Sequence, residues 1–132
     1  MSTSAQYASI PKCGIGQVST ANTNRDGTGT ITTIFSAGAS GSRIDTIDLK
    51  AVGTTTAGMI RLFIHDGANA RLLSEVPVIA ITPSGTLPSW ESQLNINTMS
   101  QILPLLLPTG YSLRAATNNA ETFNVIAQGG DF

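Results

Sequence analysis

Arg43-Ile44-Asp45-Thr46-Ile47-Asp48-Leu49-Lys50-Ala51-Val52 is the stretch that decides the fold, because from Thr46 onward its polar and apolar side chains alternate. Ile47, Leu49 and Ala51 fall on one face, and Thr46, Asp48 and Lys50 on the other. A period of two belongs to a strand with one face in a core, not to a helix. Ile44 is out of phase with the apolar face, which predicts a bulge near Asp45 or a strand that turns a corner between sheets.

The same period recurs outward in both directions. Upstream, Lys12 to Thr20 and Gly29 to Ser36 read as strands, the second with Ile31, Thr33 and Phe35 on one face. The intervening Asn22-Thr23-Asn24-Arg25-Asp26-Gly27 reads as a turn, since Asn and Asp tolerate left-handed backbone and Gly adopts it freely. Downstream, after the Gly38-Ala39-Ser40-Gly41 loop, Met59 to His65 places Ile60, Leu62 and Ile64 inward and leaves Arg61 and His65 outward. The turn from Asp66 to Asn69 leads into Arg71 to Ile81 as a hairpin. Pro77 has no amide to donate, so this part belongs on an edge or at a bend. Thr82 to Trp90, with Pro83, Gly85 and Pro88, reads as a crossing loop. Leu94 and Ile96 begin another strand; Tyr111, Leu113 and Ala115 mark the next, and Phe123, Val125 and Ala127 the last. Helix is nearly absent, with Met99 to Leu103 making one short turn at most.

About eight strands, two long connections and no repeat of 20 to 50 residues predict a single-domain, all-β, jelly-roll-like antiparallel sandwich over residues 12–132. An immunoglobulin-type core would bury an aromatic residue in mid-strand, whereas Trp90 follows Pro88 in a loop. Residues 1–11 read as a flexible N-terminal arm anchored by Tyr7 and Ile10. Such a segment cannot bury enough surface alone to offset its chain entropy, so it is either disordered or laid across a neighbouring subunit, and the second is the expectation.

Composition narrows function. The 132 residues carry a net charge of −1, and only 11% of them are charged. That supplies no basic field for nucleic acid. The longest apolar run, Ile102 to Leu107, is broken by Pro104, so no membrane span is expected. The start, Met1-Ser2-Thr3-Ser4-Ala5, has neither a basic region nor an apolar run, and synthesis in a cytoplasm is expected. Cys13 stands alone, which leaves no internal disulfide and no thiolate zinc site; it reads as a half-buried apolar residue. A surface so poor in charge is expected to face other protein. The apolar Ile102-to-Leu107 run, with Leu105 and Leu106, carries more leucine than an exposed connection should, which points to a homotrimer or homodimer.

Catalytic chemistry finds little support. His65, the only histidine, neighbours Asp66 on the opposite face of a strand end, and no nucleophile elbow accompanies it. Glu75, Glu91 and Glu121 fit no motif. Asn22-x-Asn24-x-Asp26-Gly27 matches the first half of a calcium loop, but Thr33 stands where the bidentate acid belongs, and a tight turn explains the string better. Gly14-Ile15-Gly16 lacks the third glycine of a dinucleotide fingerprint. The expectation is a non-enzymatic protein without cofactor or metal. Trp90, in its proline-bracketed loop, is the aromatic ring best placed to anchor a partner or a glycan; folding back to plug the sandwich is its alternative role.

Leu107-Pro-Thr-Gly-Tyr-Ser-Leu-Arg-Ala115 and Glu121-Thr-Phe-Asn-Val-Ile-Ala-Gln-Gly-Gly-Asp-Phe132, with Thr55-Thr-Ala-Gly-Met-Ile-Arg-Leu-Phe-Ile-His-Asp-Gly67, resemble small proteins encoded among the head genes of tailed phages and prophages. The resemblance covers roughly Gly27 to Phe132, and the segment before Ile10 departs from it. It implies a capsid decoration, or cement, protein: a jelly roll that assembles as an oligomer on the exterior of the virion and bridges major capsid proteins. No catalytic residues come with it. Tyr7, Ile10, Trp90, Leu105 and Leu106 are the expected partner contacts. The other reading is a tail- or fibre-associated module that binds a cell-surface glycan through Trp90 and the Asn118-Asn119 turn.

Overall fold

The computed structural model describes residues 8–95 and 102–132. Among them are nine strands and no helix: β1 (Ile10–Val18), β2 (Thr32–Ser36), β3 (Ser42–Ala51), β4 (Gly58–His65), β5 (Ala70–Val78), β6 (Glu91–Leu94), β7 (Leu105–Leu107), β8 (Ser112–Thr117) and β9 (Phe123–Asp131). All pair antiparallel. One sheet runs β1-β9-β3-β6, with short β7 also on β3, and the other runs β2-β8-β4-β5. With β7 set aside, each strand of one sheet is matched, position by position, by its sequence neighbour in the other. That order is the jelly roll.

Alternation builds the core. Ile47, Leu49 and Ala51 of β3, Ile60 and Leu62 of β4, Leu113 and Ala115 of β8, and Phe123, Val125 and Ala127 of β9 are all buried in one cluster. Ile44 is also fully buried, and the β3–β9 register slips between Ile44 and Thr46, so the bulge near Asp45 brings an out-of-phase isoleucine onto the core face. The hairpin over Asp66 to Asn69 joins β4 to β5, and Pro77 sits in β5, an edge strand whose outer amides have no ladder to feed. At Gly14 the two sheets meet backbone to backbone: a Cβ there would lie 2.3 Å from the Ile34 carbonyl oxygen.

Several expectations are corrected. Strand β1 begins at Ile10 and ends at Val18, so Ile10 and Pro11 are paired to Asp131 and Gly130 of β9. In β2 the register slips between Thr33 and Phe35, which turns Phe35 into the core while Thr33 stays outside; Ile31, Thr33 and Phe35 do not share a face. The strand after Arg71 ends at Val78, and Ile81 makes only an isolated bridge with Thr55. Leu94 closes β6 instead of opening it, and Ile96 and most of the Met99-to-Leu103 turn lie outside the described residues. Leu105–Leu107, taken as part of a connection, is a strand, with Leu107 buried against β3. Cys13 is exposed on the edge strand.

The largest correction concerns the outer face of the four-stranded sheet. Arg61 points away from the core, as alternation requires, yet is only 4% exposed, and Phe63 beside it is fully buried. The β1–β2 connection, residues 19–31, folds across that face. Asn22 donates its amide N–H to the Thr117 carbonyl, Ala21 bridges Thr117, and Gly27, at a left-handed φ of 89°, packs against the Ala70 backbone.

Candidate functional site

The five expected contact residues separate into three groups. Tyr7 lies outside the described residues. Trp90 is 5% exposed and meets Phe123 edge-on, with ring centroids 5.7 Å apart, so it plugs the sandwich and is no free anchor. Ile10, Leu105 and Leu106 lie at one end of the five-stranded sheet, Leu106 on its outer face and Ile10 and Leu105 on the other.

The register places them there. Ile10 and Ser42 both pair with Asp131, and Leu107 pairs with Ser42; in the adjacent row Pro11, Gly130, Arg43 and Leu106 follow in order across four strands. Leu106 is 61% exposed and Ile10 59%, while Leu105 is half-buried against the core. Strand alternation also puts Ile15 on the outer face, opposite Ile126, where it is 71% exposed. Ile15 was not singled out in the sequence. Its position in a Gly-x-Gly string hid the fact that the two glycines face the core and the isoleucine between them faces out.

Polar contacts tie this end of the sheet together. Asp131 accepts a hydrogen bond from the Ser42 hydroxyl and lies 3.2 Å from the Lys12 ammonium, which also donates to the Ser36 carbonyl and sits 4.9 Å above the Phe35 ring. The Ser42 hydrogen bond first, and then Lys12, hold the Asp131 carboxyl below its ordinary range. Lys12, pointed inward on the edge strand β1 just after Pro11, also guards that edge against indiscriminate pairing. Arg43 and Asp45, 2.7 Å apart, sit at the β3 bulge.

The chemistry-bearing motifs have structural work. His65 Nδ1 accepts from the Gly67 amide, and the Asp66 carboxylate accepts from the amides of Ala68 and Asn69, which pulls its pKa down and closes the hairpin turn. In the calcium-like string, Asn22 Oδ1 accepts from the Asn24 amide while Asn22 Nδ2 donates to the carbonyls of Thr28 and Thr30. Asp26 accepts from the amide and hydroxyl of Thr28. These are turn contacts. The Asn118-Asn119 side chains are also internal ties: Asn118 Oδ1 accepts from Arg61, and Asn119 Nδ2 donates to Thr56 Oγ1 and the Ala57 carbonyl.

Beneath the 19–31 connection is a network absent from the sequence reading. Glu75 Oε2 lies 3.0 Å from Arg61 Nε and 2.7 Å from Arg25 Nε, and the Arg61 guanidinium also reaches Asn118 Oδ1 at 3.0 Å and the Asn22 carbonyl. Arg25 first and Arg61 after it lower the Glu75 pKa. No periodicity joins positions 25, 61 and 75; only the fold over the sheet does. Neither protein-family models nor curated proteins give a match to this chain.

Proposed function

We propose that this chain is a structural protein of a tailed-phage virion that decorates the capsid exterior and stabilises it by bridging major capsid proteins. The observation that carries the reading is exposed aliphatic surface on the five-stranded sheet of a jelly roll: Ile15 of β1 and Leu106 of β7 lie on its outer face and are each more than half exposed. A protein with so little charge gains from covering them with protein. The resemblance of residues 27–132 to phage head-gene products supports the same assignment. The partners are the major capsid protein and further copies of this chain as a trimer or dimer. Attachment sums many weak contacts and favours the assembled shell over its dissociated parts.

Trp90 and the Asn118-Asn119 turn, on which the tail-fibre reading depended, are engaged inside the molecule and do not favour it. The test is mass spectrometry of purified virions together with reattachment of the purified chain to capsids stripped of it. Stoichiometric presence, with reattachment weakened in Ile15→Asp and Leu106→Asp, is expected. Absence from virions overturns the assignment.

A further inference from the structure

Strand β1 stands at one edge of the five-stranded sheet, with β6 and β7 at the other, and β2 and β5 flank the four-stranded sheet. All of these edges but one are blunted. β7 has three residues, β6 has four and begins on Glu91, and β2 has five with a register slip between Thr33 and Phe35. β5 contains Pro77, a slip opposite Leu62 and Phe63, and the charges of Arg71 and Glu75. Devices of this kind keep an edge from recruiting a further strand. β1 is different: its nine residues pair with β9 in unbroken register, and among the described residues no strand lies on its other side.

Charge decides what this edge can accept. β1 carries one charged residue, Lys12, and β2 packed behind it carries none. Lys12 turns inward to the Asp131 carboxylate at 3.2 Å and to the Ser36 carbonyl, while Pro11, Cys13, Ile15 and Gln17 are exposed on the outer face. Laid antiparallel on a second copy of itself, the strand overlaps along its whole length in one register, with Ile10 opposite Val18 and Gly14 opposite its own counterpart. In that register Lys12 faces Gly16 of the second copy, which has no side chain, and the two lysines stand roughly 13 Å apart along the pair. That exceeds the screening length of about 8 Å at physiological ionic strength. Registers centred on Lys12 would set like charges opposite each other, so the one lysine selects against them. On the outer face, Ile15 of each copy lies against Cys13 of the other, which covers part of a side chain that is 71% exposed in the single chain. Both strands are already ordered, so their pairing costs less chain entropy than the capture of a disordered peptide.

We propose that two copies of this chain pair through the free edge of β1, antiparallel about a twofold axis at Gly14, so that their five-stranded sheets join into one continuous sheet. The pairing is a property of the chain itself and does not depend on where the protein sits in a virion. Sedimentation of the full chain over a concentration series, with hydrogen exchange at each concentration, tests it. A dimer is expected to form as concentration rises, and the β1 amides that do not face β9 should gain protection in step with it. Ile15→Asp sets two carboxylates roughly 7–8 Å apart across the pair, and it is expected to weaken the dimer tenfold or more while each chain stays folded. Leu87→Asp adds the same charge at an exposed position on the β5–β6 connection and should leave the dimer unchanged. A monomer at every concentration, a trimer, a dimer whose β1 exchange does not depend on concentration, or a dimer that survives Ile15→Asp overturns the proposal. Each of those results leaves the virion assignment standing, since that is decided by the composition of purified virions.

Discussion

Arg61 shows how a single residue acquires a meaning that its neighbours in sequence do not reveal. Alternation places it outward, and outward normally means solvated; here the β1–β2 connection covers it, and its charge survives burial because Glu75, Asn118 and the Asn22 carbonyl receive its donors. Arg61→Ala leaves those acceptors unmatched under the connection, and a loss of roughly 2–4 kcal/mol in denaturant unfolding is expected. Arg61→Lys should recover only part, because an ammonium cannot span Glu75 and Asn118 in one plane. The acids have a defined pH signature. The folded pKa values of Glu75, held down by Arg25 and Arg61, and of Asp131, held down by Ser42 and Lys12, lie below their unfolded values. Their stabilisation is therefore complete above the ordinary carboxylate range near pH 4 and is lost as pH falls through the folded values. Thermal melts of the wild type should weaken as pH drops below about 4, and the Glu75→Gln, Asp131→Asn variant should show a shallower fall over the same window. An equal slope in both proteins would assign the acid sensitivity to other groups.

At the scale of elements, the 19–31 connection behaves as a tenth layer-forming piece without being a strand. Asn22 organises it through its buried side-chain amide, which donates to the carbonyls of Thr28 and Thr30 and accepts from the Asn24 N–H. Asn22→Ala should cost about 1–3 kcal/mol, and hydrogen exchange should rise at residues 19–31 and at the outer amides of β4 while the core strands stay protected. Uniform loss of protection would mean that the connection folds only with the whole sandwich. Strand β1 carries a different constraint. Its Gly14 faces Ile34 so closely that a side chain would separate the sheets, so Gly14→Val is expected to destabilise severely, whereas Ile15→Asp, one residue along and facing out, should leave the melting temperature nearly unchanged. Similar melting temperatures for the two variants would contradict the facing assigned to β1.

For the molecule as a whole, self-association and the N-terminal arm are the open tests of the proposed function. Among the described residues, deleting Met1 to Ser9 removes the amide and hydroxyl hydrogen bonds from Ser9 to the Asp131 carbonyl and leaves β1 intact, so the domain is expected to melt at nearly the same temperature while capsid attachment or self-association weakens. Failure of the truncated chain to fold would make those residues integral to the sandwich. The all-β class, the bulge at Asp45, the hairpin at Asp66 to Asn69, the edge position of Pro77 and most of the core were legible in the chain itself. Each is a local consequence of a two-residue period, a missing amide donor or a turn former, which act within a few residues. The facing of Phe35, the burial of Arg61 and the strand at Leu105–Leu107 were not. Those depend on register slips and on which segment comes to rest over which sheet. Such choices are made by contacts between residues tens of positions apart, and no pattern along one strand records them.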